Sequence, residues 1–164
     1  MTTQRDSFLQ DTQGIRSELD RLLEGLESHL DSKPNDEEWS AREIIYHMVE
    51  TPEEGIHTAV GRTLEGSIQE LPVTANLTNL TPERQGKGLA DIRMDVEAVL
   101  PGMERALTST TDAELEEKKV VFHSILRDVR EDRSAHQLTA GYFVRHWRDH
   151  IGQLATLRET LGLG

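Results

Sequence analysis

Ile15-Arg16-Ser17-Glu18-Leu19-Asp20-Arg21-Leu22-Leu23-Glu24-Gly25-Leu26 sets apolar residues at spacings of four, three and four, with charged residues between them. Residues three and four apart share one side of a helix, so this is the seam of an amphipathic helix that buries one face. Phe8 and Leu30 continue the stripe outward and predict a helix from about Thr3 to Asp31. Asp31-Ser32-Lys33-Pro34-Asn35-Asp36 then reads as a turn.

Three further segments carry the same period. Ser40-Ala41-Arg42-Glu43 fits a capping box, in which serine and glutamate satisfy two orphan backbone donors reciprocally. Ile44, Met48, Ile56, Ala59, Val60 and Leu64 carry on that apolar face, and Thr51-Pro52 predicts a kink or break within it. From about Leu71 to Gly88 the chain is rich in Pro, Thr, Asn and Gly and reads as a long loop. Leu89, Ile92, Val96, Val99, Met103 and Leu107 mark a third helix from about Leu89 to Thr108, weakened in its middle by Pro101-Gly102. Phe143, Trp147, His150, Leu154, Leu157 and Leu161 mark the last, from about Thr139 to Leu161. Between Asp112 and Gln137, Val120-Val121-Phe122 suits an extended piece, while Phe122, Ile125, Leu126 and Val129 also fit a helix; short helical turns are the reading adopted. The expectation is an all-α protein: one four-helix bundle domain over residues 1–164, with a long loop between helices 2 and 3.

Composition narrows the function classes. The chain has 164 residues, 18 basic and 30 acidic, for a net charge of −12, which argues against nucleic acid and against an anionic membrane surface. No run approaches the ~18 apolar residues of a membrane span, and no apolar stretch of signal-peptide length follows the N-terminus. A cytoplasmic protein acting on a small molecule is the expectation. Cysteine is absent, which removes disulfides, thiolate metal sites and a cysteine nucleophile.

Histidine is where chemistry is expected. Of seven, His146 and His150 stand one turn apart on one helical face, shared with Phe143, Leu154 and Leu157. Two inward-facing imidazoles need partners, because unpaired buried polar groups are costly. Backbone carbonyls or carboxylates of the core meet that need, and so does a metal ion. His47, just past the capping box and beside Met48, lies on a face that a bundle can bring opposite the last helix. Three histidines would leave an open coordination position, as catalytic sites do, and an all-nitrogen set suits Zn, Ni or Fe. Competing motifs fail: His-Glu-x-x-His is absent, and Glu54-Gly55-Ile56-His57 is a single Glu-x-x-His where a di-iron bundle needs two. His29, His57, His123 and His136 are expected on exposed faces or in loops.

Two blocks together resemble the DinB/YfiT-like family of metalloenzymes. Trp39-Ser40-Ala41-Arg42-Glu43-Ile44-Ile45-Tyr46-His47 is similar to the family's Trp-Ser-x-x-Glu stretch leading to its first histidine. His146-Trp147-Arg148-Asp149-His150-Ile151-Gly152-Gln153 is similar to its His-x-x-x-His-x-x-Gln block. Order, spacing and length agree over nearly the whole chain. The resemblance implies a four-helix bundle that binds a divalent metal through His47, His146 and His150. Its relatives include enzymes that use a low-molecular-weight thiol, bacillithiol or mycothiol, for S-transfer or isomerisation, and homodimers are common among them. Without a cysteine of its own, the chain would take any thiol from a diffusible cosubstrate. The resemblance therefore points to a thiol-dependent S-transferase. A metal-dependent hydrolase, or a non-catalytic stress-related metal-binding or dimerisation bundle, is the alternative. The segment from Leu115 to Thr139 is longer than the family's usual connection, and no further domain follows the bundle, which weighs against the isomerase subgroup. Around the ligands, Glu43 is a candidate acceptor for His47, with the capping box as its simpler role; Gln153 is a candidate for substrate contact or helix packing; and Tyr142 is a candidate pocket wall. Trp39 and Trp147 are expected to be packing anchors.

Overall fold

In the computed structural model, which describes residues 1–164, the four periodic segments form four packed columns of helix. Helix α1 (Gln4–Leu23) starts where the Thr3 hydroxyl accepts from the Asp6 amide at 3.1 Å. It ends well before Asp31, because Gly25 turns the chain with φ +80°, although the turns that follow still bury Leu26 and Leu30. Helix α2 (Ala41–Val49) opens with the expected capping box: Ser40 Oγ accepts from the Glu43 amide at 3.2 Å, and Glu43 Oε1 accepts from the Ser40 amide at 3.1 Å. Thr51-Pro52 marks a full break, and a separate helix α3 (Ile56–Glu65) starts after Gly55 at φ +92°. The third and fourth columns come later in the chain.

The segment read as loop and turns contains a sheet, so the protein is mostly helical and not all-α. Strand β1 (Glu70–Val73) and a single-turn helix α4 (Pro82–Gln85) occupy the expected long loop. Helix α5 (Leu89–Thr108) runs through Pro101 without ending. Helix α6 (Asp112–Glu117) is followed by β2 (Lys119–Ser124) and β3 (Val129–Ser134). The strand order is β1-β2-β3, with β1 parallel and β3 antiparallel to β2. The physical reason lies in Val120 and Phe122, which alternate inward past Lys119, Val121 and His123 with the period of two that a strand requires. Ile125, Leu126 and Val129, which completed the helical face on paper, are exposed around the hairpin turn. Pro72 is accommodated because β1 is an edge strand.

The last column is entered through α7 (Ala135–Leu138) and a π-helical segment, Thr139–Arg145, that leads directly into α8 (His146–Thr160). Helix α1 packs on α5 and α8, α2 packs on α8 and α5, and α3 packs on α5. Trp147 lies fully buried at their centre, so Trp147→Ala costs about 3–5 kcal/mol. No helix is long and apolar enough to cross a membrane.

Candidate metal centre

Each histidine of the expected trio is delivered by a different local device. His47 sits in the last turn of α2, so the Ser40 cap sets its phase. Its Nδ1 lies 2.6 Å from the carbonyl oxygen of Leu77, in the loop after β1. A carbonyl can only accept, so Nδ1 carries the proton and Nε2 offers a lone pair. That loop takes left-handed turns at Asn76 (φ 62°) and Asn79 (φ 59°), a conformation asparagine tolerates better than most residues. Asn79 Nδ2 ties the loop back to α2 by donating to the Tyr46 carbonyl at 3.2 Å.

His150 is oriented from its own helix. Its Nδ1 lies 2.7 Å from Gln153 Oε1, an acceptor that again holds the proton on Nδ1 and leaves the Nε2 lone pair free. His146 follows the π-helical segment, and its buried Nδ1 has no well-aligned partner. The carbonyl of Tyr142, one turn back, exerts only a weak pull on this ring.

The three rings converge. His146 Nε2 is 3.0 Å from His47 Nε2 and 3.1 Å from His150 Nε2, and one nitrogen of each residue lies within 4.8 Å of the others. His47 is buried, while His146 and His150 are partly exposed, so the cluster is open on the α8 side. Trp39 covers it at 4.9 Å from His47 and stacks on His150 at 6.2 Å. Burial pushes the His146 pKa down to about 4, helped by the neighbouring His150 and His47 rings. His47 is lowered as well, chiefly by burial, against the opposing pull of the Leu77 carbonyl. Both rings are therefore neutral donors at neutral pH.

This arrangement fits a cation and poorly fits its own hydrogen bonds. With Nδ1 protonated on His47 and His150, one proton on His146 Nε2 can serve only one of two nitrogen neighbours. The other contact then sets lone pair against lone pair. Zn–N bonds of ~2.0–2.1 Å at a tetrahedral angle separate ligand nitrogens by about 3.4 Å, and a right angle separates them by about 2.9 Å. The observed 3.0 and 3.1 Å lie between these two values, and the His47 and His150 ligand atoms lie within 4.8 Å of each other.

Of the other candidates, Glu43 is engaged by the capping box and by Lys33 Nζ at 2.9 Å, so His47 takes its acceptor from Leu77 instead. Gln153 orients His150. Tyr142 flanks His146, its ring 6.1 Å away. Trp147 is a buried anchor as expected, and Trp39 packs against the core as expected and is also a wall of the histidine cluster. His136 is half-exposed on α7, beside Gln4 Oε1 at 2.8 Å, and His29 is partly covered in a turn after α1. His123, expected exposed or in a loop, instead lies on β2 with its side chain largely covered, beside Asp128 at 2.9 Å. His57 departs from expectation: it is half-buried between α3 and α5. The Leu77 carbonyl was missed because a backbone acceptor has no sequence signature; the turn-forming Asn76 and Asn79 were its only trace.

Neither a protein-family model nor a curated protein sequence matches the chain. Among solved structures it resembles YfiT from Bacillus subtilis, described as a probable metal-dependent hydrolase with an unusual four-helix bundle topology. The match has a TM-score of 0.72 and 16% identity, over 98% of this chain and 89% of that one. The two proteins share a fold.

Proposed function

We propose that His47, His146 and His150 bind one divalent transition metal and that the protein is a metal-dependent hydrolase of small molecules. The observation that carries this reading is the convergence of three Nε2 atoms at 3.0 and 3.1 Å with no carboxylate among them. A bound ion would supply Lewis acidity at neutral pH, acidifying water or deprotonating a thiol. The chain's own residues do the rest. The Leu77 carbonyl and Gln153 hold Nδ1 protonated on two rings, which fixes both their tautomer and their aim. Trp39 shields one side from water, and Tyr142 bounds another. The description of YfiT supports hydrolysis as the reaction type. The absence of cysteine favours a second reading, S-transfer with a low-molecular-weight thiol as cosubstrate, since any thiolate must come from outside the chain. Membership of the DinB/YfiT-like family, zinc, nickel or iron as the ion, a homodimer and a cytoplasmic location complete the reading.

Metal analysis of the purified protein tests it. Near-stoichiometric divalent metal is expected in the wild type and is lost in His47→Ala. A wild type that takes up no divalent ion at pH 7.5 ends the proposal. Hydrolysis of an ester or amide panel, run with and without added thiol, separates the two reactions. A rate that is indifferent to thiol removes the transferase.

A further inference from the structure

The sheet brings a second set of side chains beside the histidine cluster. In the β2–β3 register Val120 opposes Arg133 and Phe122 opposes Glu131. Val120 and Phe122 are the inward residues of β2, and opposed residues share a face, so Arg133 and Glu131 lie on the bundle side of the sheet. Arg130 and Asp132 lie on the other. The Arg133 guanidinium sits 4.7 Å over the Phe122 ring, Phe122 packs 5.0 Å from Tyr142, and Tyr142 is 6.1 Å from His146. A chain of tilted ring contacts thus runs from a candidate metal ligand to a cation. Phe122 is fully buried and props the other two, while Tyr142 and Arg133 are partly open to solvent.

The charge of this wall differs from that of the chain. Arg133 contacts Glu131 through Nη2 alone, which leaves its other guanidinium nitrogens free of carboxylate. Arg127, in the hairpin turn, reaches only the Ser124 hydroxyl at 3.4 Å. Ser124 follows the inward Phe122 by two residues on β2, so this contact holds Arg127 toward the same face of the sheet as Arg133. Two cations against one carboxylate leave the wall positive in a chain of net charge −12.

We propose that Arg133, assisted by Arg127, binds the carboxylate of an anionic substrate whose apolar body lies along Tyr142, beside the three-histidine centre. The inference rests on the metal reading above and gives that site its substrate class: small monocarboxylates with an apolar or aromatic body. Glu131 beside Arg133 disfavours dianions. Arginine suits the task because its planar guanidinium pairs with a carboxylate and stacks on an aromatic ring at the same time.

Binding of benzoate against its neutral analogue benzamide tests this on the zinc-loaded protein at pH 7.5. Fluorescence of Trp39, which stacks on His150, provides the readout. Zinc affinity is measured on the same samples by calorimetry. Benzoate is expected to bind roughly tenfold more tightly than benzamide. Arg133→Gln removes that preference, Arg127→Gln reduces it, and Arg130→Gln, on the opposite face of the same strand, leaves it intact. Zinc affinity is unchanged in all three. A preference that survives both Arg133→Gln and Arg127→Gln means that the metal alone holds the carboxylate. That result overturns the inference and leaves the metal reading standing. No preference for benzoate in the wild type overturns it equally. A wild type that binds no zinc ends both.

Discussion

Two histidine environments in this protein both bury imidazole nitrogens and differ in how those nitrogens are held. At His47, His146 and His150, two rings have Nδ1 assigned to an acceptor, and all three offer Nε2 to a common point. At His57 there is one ring, wedged between the backbones of Gly55 and Gly102. Its Nδ1 is buried without a partner, and its Nε2 has only the Thr58 hydroxyl at 3.4 Å. A Cβ on Gly102 would fall 2.5 Å from the ring, so the glycine inside α5 is what admits it. The comparison teaches that a ligand set is made by what holds the second nitrogen and by where the first one points. Burial alone does not make one.

The largest test of that distinction is removal of one ring from each environment. His146→Ala is expected to weaken zinc binding by a thousandfold or more (about 4 kcal/mol), since it deletes the nitrogen that the other two share. His57→Ala is expected to change zinc affinity less than about twofold. Calorimetric titration of zinc-free protein reads both. Comparable losses in the two variants would break the comparison.

Acid separates the two environments next. The folded protein holds His146 at a pKa of about 4 against an ordinary 6.5, so below pH 6.5 the unfolded chain takes up a proton that the folded cluster refuses. Metal-free protein therefore keeps this contribution above pH 6.5 and loses of the order of 3 kcal/mol as the pH falls toward 4. His57 shifts in the same direction, chiefly from burial, with Arg105 adding to it and Glu50 opposing. Urea midpoints between pH 7 and pH 4 should fall less steeply in His146→Asn than in His57→Asn. The reverse order would place the more costly histidine between α3 and α5.

What was legible in the sequence follows the same division. Ile15 to Leu26, the Ser40–Glu43 cap and the Leu89–Leu107 stripe were readable because helix periodicity and caps are local. The histidine trio was readable because two of its members are one turn apart and the third follows a cap. The sheet was not, because Val120 and Phe122 become a strand by pairing with Glu70–Val73, some fifty residues earlier, and with Val129–Ser134. Nor was the π-helical Thr139–Arg145, which precedes His146 and which no residue pattern announces. His57 was expected on an exposed face or in a loop, while its burial depends on the absence of a side chain at Gly102, on another helix.

Gly102→Ala turns that last point into an intermediate effect. The added methyl meets the His57 ring, and overpacking of this kind costs about 1–3 kcal/mol. In His57→Ala the same substitution is expected to be neutral or slightly stabilising, because alanine favours a helix interior over glycine. A double-mutant cycle on urea stability measures the coupling. Equal costs in both backgrounds would mean that the ring is not what Gly102 accommodates. Zinc affinity should stay unchanged throughout.

The smallest effect is the most discriminating, because it tests the outer hydrogen bond rather than a ligand. Gln153→Ala removes the acceptor of the His150 Nδ1 hydrogen bond and leaves all three rings in place. His150 can then turn, or carry its proton on Nε2, where it blocks the lone pair. Either change weakens zinc binding by about tenfold, the lower end for a lost partner of a ligating histidine. Gln153→Glu retains an acceptor at that position and strengthens it with a charge, so it should restore affinity to the wild-type level or above. A Gln153→Ala protein that binds zinc as tightly as the wild type would show that α8 alone aims His150. The distinction from His57, a buried ring with nothing to aim it, would then rest on the convergence of the three nitrogens alone.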